Sequence, residues 1–93
     1  MKWLEIIEFR SVDSDRELMK SQLQDLVNEV NRETRHQKIK VYSHITVETD
    51  LRIHLIHDSE KVKASGSRLG LDLTSALKEH GLVNHSAWIE MQS

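Results

Sequence analysis

Residues 39–47 place Ile39, Val41, Ser43, Ile45 and Val47 on one parity, with Lys40, Tyr42, His44 and Thr46 on the other. After Glu48-Thr49-Asp50 the alternation resumes, with Leu51, Ile53, Leu55 and His57 set against Arg52, His54, Ile56 and Asp58. A period of two rich in β-branched residues specifies two half-buried strands joined as a hairpin. The buried face sets the register, because a one-residue slip turns every apolar side chain to solvent. A two-residue loop at 49–50 would pair Ile45 with His54 and mix the faces. A three-residue loop at 48–50 pairs Val47 with Leu51, Ile45 with Ile53 and His44 with His54, and this is the expected register.

The flanking elements follow from similar patterns. Residues 2–11 carry Leu4, Ile6, Ile7 and Phe9, a strand with apolar side chains on both parities, so the parity facing the core stays open. A helix over 15–33 is predicted from Met19, Leu23, Leu26 and Val30, widened by Leu18 and Val27. Ser14 and Glu17 have capping-box spacing at its start, Asp15 adds negative charge there, and Arg32 and Arg35 suit its C-terminal dipole. A polar loop at 59–67 leads to a second helix over 68–80, with Leu69, Leu73, Ala76, Leu77 and His80 on one stripe. Gly81 is expected as its left-handed terminator. A last strand alternates Val83, His85, Ala87, Ile89 and Met91 with Asn84, Ser86, Trp88 and Glu90.

No repeat or Pro/Gly-rich linker divides the 93 residues, so residues 1–93 read as one domain. The order β-α-β-β-α-β specifies an α+β ferredoxin-like sandwich. Its four-stranded antiparallel sheet has order 4-1-3-2, with both helices on one face.

That fold leaves a second sheet face. It carries Tyr42, His44, Thr46, Arg52, His54, Ile56 and Trp88, joined by either Leu4 and Ile6 or Trp3, Ile7 and Phe9. A face this apolar calls for a cover, and the expected cover is a second copy of the chain. The element order, together with the ending Gly81-Leu82-Val83-Asn84-His85-Ser86-Ala87-Trp88-Ile89-Glu90, resembles the dimeric α/β-barrel group of ferredoxin-like proteins. That group includes antibiotic-biosynthesis monooxygenases, haem-degrading monooxygenases and stress-responsive barrel proteins. The resemblance implies a face-to-face homodimer and transfers no catalytic residue.

Composition narrows the chemistry. With no cysteine, disulfides, thiolate metal sites and Cys nucleophiles are excluded. Thirteen Lys+Arg against fifteen Asp+Glu leave a net charge of −2, without the basic excess of a nucleic-acid binder. No apolar run is long enough to span a membrane, and Met1-Lys2-Trp3-Leu4-Glu5 lacks a signal-peptide stretch, so the cytoplasm is expected. No cofactor motif is present.

Six histidines invite a metal reading, but His54 and His57 point to opposite faces of a strand. His44 and His54 form the better pair, opposed across the hairpin, and two ligands do not complete a site, so no metal is expected. Tyr42, Trp88, His44 and His54 are the candidate ligand-binding residues on the open face. His85 is the candidate catalytic residue, placed between sheet and helices, and His80 is expected to cap its helix.

The topology also gathers Lys2, Arg32, Arg35, Lys38, Lys40, Lys61, Lys63 and Arg68 at one end. Asp13, Asp15, Glu17, Glu48, Asp50 and Glu79 collect at the other. At the basic end Ser65-Gly66-Ser67-Arg68 opens the second helix, where free N–H groups favour a small anion or an acidic partner. The leading expectation is a homodimeric ligand- or partner-binding protein without a catalytic set. One alternative is a barrel enzyme, an oxygenase or isomerase using His85 and Trp88 around an apolar pocket. The other is an anion-sensing regulatory module.

Overall fold

A computed structural model describes residues 2–12, 16–33 and 36–91. Its elements are β1 (Lys2–Ser11), α1 (Arg16–Glu33), β2 (Gln37–Ser43), β3 (Asp50–Asp58), α2 (Arg68–Leu77) and β4 (Gly81–Ile89). The strands form one four-stranded sheet ordered β2-β3-β1-β4 with antiparallel neighbours, the expected order read from the other edge. The predicted capping residue Ser14, with Asp13, Asp15 and Arg35, lies outside the described residues.

The parity of β1 is now fixed. Trp3, Glu5, Ile7, Phe9 and Ser11 face the helices and are buried, while Leu4, Ile6, Glu8 and Arg10 face the open side. Ile7, Phe9, Ile39, Leu51, Ile53 and Leu55 form the core with Leu23 of α1 and Leu77 of α2. Met19, Leu26, Val27 and Val30 complete the α1 stripe, and Leu69 and Leu73 that of α2. Both helices therefore cover one face. Leu18, expected to widen the α1 stripe, is instead exposed and borders an apolar cleft between the helices.

The hairpin departs from the expected register. Ser43 pairs with Leu51, Val41 with Ile53 and Lys40 with His54, a shift of four residues along β2. Because the shift is even, the apolar face survives, but the His44–His54 pair does not form. Contacts that hold the start of β3 explain the change. Arg10 grips Asp50 with two hydrogen bonds of 2.9 and 3.1 Å, and the Ser11 N–H donates to the Thr49 carbonyl. Residues 44–49 then fold into a loop in which the His44 Nδ1 accepts the N–H groups of Thr46 and Val47. Ile45, placed in the core by alternation, is 98% exposed at that loop.

At the outer edge of β2, the Asn31 side chain accepts the Ile39 N–H at 2.9 Å and donates to its carbonyl at 3.1 Å. One amide thus substitutes for a neighbouring strand and ties α1 to the sheet.

α2 stops at Leu77, earlier than expected, and Gly81 is not its left-handed terminator but the first residue of β4. Glycine is needed there for close approach, since a Cβ would lie 2.0 Å from the Arg10 carbonyl oxygen. The positive φ of the described chain belongs to Gly66, at 106°. β4 ends at Ile89, which leaves Met91 beyond the strand.

Candidate functional site

Two places gather polar side chains, one on each face of the sheet. The first is buried. Glu5, on the helix side of β1, points its carboxylate into the start of α2 and has no exposed surface. Oε1 accepts the Ser67 N–H at 2.9 Å and bonds the His85 Nε2 at 2.8 Å. Oε2 accepts the Ser67 hydroxyl and bonds the His57 Nε2 at 2.6 Å. Room for the carboxylate comes from Gly70, where a Cβ would lie 2.0 Å from Oε1. Gly66 is doubly constrained, because its positive φ disfavours a side chain and a Cβ would lie 2.4 Å from the His85 ring.

The surrounding contacts set the protonation pattern. The Gln37 amide nitrogen lies 3.3 Å from the His57 Nδ1, so Nδ1 accepts and Nε2–H donates to Glu5. Trp3 stacks on His57 at 4.1 Å between ring centroids, and its indole N–H donates to Ser59. Burial pushes the Glu5 pKa up. The hydrogen bonds from the Ser67 hydroxyl, His57, the Ser67 N–H and His85 outweigh it and hold the carboxyl below its ordinary value.

This network bears directly on two expectations. The start of α2, where an anion was expected at Ser65, Gly66, Ser67 and Arg68, receives the chain's own Glu5 carboxylate through Ser67. Ser65 and Arg68 lie at the surface, with Arg68 beside Asp72 at 3.5 Å. His85 sits between sheet and helices as expected, but β4 alternation turns Trp88 to the opposite face. The pocket shared by His85 and Trp88 therefore does not form. Among the described residues, no group of three or more His, Asp or Glu side chains could hold a metal ion.

The second place is the open face. A cleft of about 680 Å³ is lined there by Glu8, Arg10, Tyr42, His44, Ile45, Asp50, Arg52, His54, Leu82 and Asn84, among others. It holds Tyr42, His44 and His54, three of the four expected ligand residues. Trp88 stands outside it, in the row Lys38, Ile56, Leu4, Trp88. Arg10 pairs with Asp50, and Arg52 approaches Glu8 at 3.4 Å. The Arg10 partner lowers the Asp50 pKa, and Asp50 in turn raises that of Arg10.

His54 occupies the middle of this face, with the Tyr42 ring 4.9 Å away. Its Nε2 is buried without a hydrogen-bond partner among the described residues. Burial first, then the positive charges of Arg52 and Lys40, lower its pKa and keep it neutral.

No family model matches the chain, and neither the curated proteins nor the solved structures give a match. The functional reading of both places thus rests on their geometry.

The buried network was missed from sequence because Leu4, Ile6, Ile7 and Phe9 made β1 apolar on both parities. The available signal was Glu5 itself, a carboxylate flanked by Trp3 and Ile7 on a single parity, with Ser-Gly-Ser waiting at a helix start.

Proposed function

We propose that this chain is a small homodimeric ligand-binding protein that pairs through its open sheet face, with the Tyr42–His44–His54 cleft as its ligand site. The observation that carries the reading is the composition of that face. Leu4, Ile6 and Ile56 lie side by side at its centre, Tyr42 and Trp88 are 48% and 57% exposed, and the buried His54 Nε2 has no partner among the described residues. Apolar surface of this kind is stabilised by burial, and aromatic residues are enriched where interfaces are driest.

The cleft suits a small planar acid. The Tyr42 ring offers a flat apolar contact, and the guanidinium groups of Arg10 and Arg52, each more than half exposed, offer donors for a carboxylate. A cytoplasmic location goes with this reading. No described helix is long and apolar enough to cross a membrane.

Sedimentation velocity tests the assembly. Ile6→Glu puts a charge at the centre of the apolar patch and is expected to lower the sedimenting mass while leaving the circular dichroism spectrum intact. An unchanged mass rejects the open-face dimer. Titration with benzoate and salicylate tests the cleft, with amide shifts expected at Tyr42, Arg52, His54 and Asn84. Silence at all four rejects the ligand class.

A further inference from the structure

The two edges of the sheet are built differently. β2 carries Lys38 and Lys40, and the outward backbone groups of Ile39 are both taken by Asn31. Charge and a covering side chain are established ways of protecting an edge from other strands. β4 has neither. Over nine residues, Gly-Leu-Val-Asn-His-Ser-Ala-Trp-Ile, it contains no charged residue and no proline.

Hydrogen bonding shows which groups of β4 are left over. Glu90 N–H donates to the Lys2 carbonyl and Val12 N–H to the His80 carbonyl, one at each end of the β1–β4 ladder. Antiparallel bonding alternates, so between those ends Leu82, Asn84, Ser86 and Trp88 direct their backbone groups to β1. Val83, His85, Ala87 and Ile89 direct theirs outward, where no described strand lies beyond β4.

We infer that β4 is a pairing edge and that its partner is β4 of a second copy, antiparallel about a two-fold axis at His85. The sequence of the strand is self-complementary about that residue. Pairing there sets Leu82 against Trp88 and Asn84 against Ser86 on the open face. On the helix face it sets Val83 against Ala87 and Gly81 against Ile89. Leu82 and Trp88, 67% and 57% exposed in the single chain, cover each other twice in the pair. Every outward group from Gly81 to Ile89 gains a partner; His85 lies opposite its own copy, and no Lys, Arg, Asp or Glu meets its like. A two-fold contact closes on itself, so an edge that would otherwise recruit strands without limit stops at two copies. The backbone edge is distinct from the open face, although Leu82, Asn84 and Trp88 border both.

Residue-resolved amide exchange on the unmodified chain provides the test, alongside sedimentation of variants. On raising the concentration from micromolar to millimolar, exchange at Val83, His85, Ala87 and Ile89 is expected to slow roughly tenfold or more. Leu82, Asn84, Ser86 and Trp88 are protected at both concentrations. Ala87→Pro deletes one outward N–H, a change that an edge strand tolerates, and is expected to halve the sedimenting mass. Concentration-independent exchange at the four outward amides overturns the inference, as does an Ala87→Pro chain that folds and sediments like the parent. If Ile6→Glu leaves the mass unchanged while Ala87→Pro halves it, the open-face dimer fails and the edge pair stands.

Discussion

Glu5 shows how one side chain can organise three separated stretches of chain. A carboxylate without exposed surface is costly unless its lone pairs are filled, and here Ser67, His57 and His85 fill them. Glu5→Gln would turn amide hydrogens toward these donors, and we expect a loss of ~2–3 kcal/mol in urea unfolding at neutral pH. The pH dependence has a definite sign. The folded-state pKa lies below the ordinary value of 4.5, so the stabilisation is complete above that value and is lost as pH falls through the lower one. Unfolding curves below pH 4.5 should therefore fall more steeply for the parent than for Glu5→Gln. Parallel curves would show that the charge on Glu5 contributes nothing.

At the scale of elements, the central strands and helix stripes are legible in sequence because local periodicity determines them. Leu51, Ile53 and Leu55 alternate, Met19, Leu23, Leu26 and Val30 recur on one face, and the sheet order follows from connecting such elements. The end of β2 is not legible, because it is set by contacts across the sheet from Arg10 to Asp50 and Ser11 to Thr49. No local pattern at Ile45 or Val47 reports those contacts, and alternation carried the strand four residues too far. Glycine roles were similarly hidden, as the close approaches at Gly81 and Gly66 come from Arg10 and from His85, both distant in sequence. The Asn31 clamp belongs to this scale too. Asn31→Ala should cost about 1 kcal/mol and speed exchange of the Ile39 amide. An Ile39 amide as slow in the variant as in the parent would mean that Asn31 does not guard that edge.

For the whole molecule, the charge layout is less polar than the sequence suggests. Arg10 and Arg16 approach Asp50 and Glu48, so the expected acidic end is partly neutralised. Basic side chains at Lys61, Lys63 and Arg68 remain exposed at the other end. The open-face assembly should respond to acid through His54. Its lowered pKa means that the neutral ring is the form suited to the structure, and protonation would add a positive charge beside Lys40 and Arg52, near Tyr42 and Ile6. Dimer affinity should therefore be full at neutral pH and weaken as pH falls through the lowered pKa of His54, which lies below the ordinary 6.5, with His54→Gln removing the dependence. An acid dependence that persists in His54→Gln would place the responsible group elsewhere.

The position of β1 has a consequence for how the chain reaches this state. It is synthesised before the strands it pairs with, yet it lies at the centre of the sheet, hydrogen-bonded to β3 on one side and β4 on the other. Glu5 likewise waits for Ser67 and His85, 62 and 80 residues downstream. During translation its apolar stretch, Trp3 to Phe9, has nothing native to pair with until most of the following chain has emerged. Such an order makes folding depend on distant closure and leaves the nascent strand exposed to the wrong neighbours. The chain thus spends its most vulnerable interval with its future centre unpaired and open to capture by a chaperone.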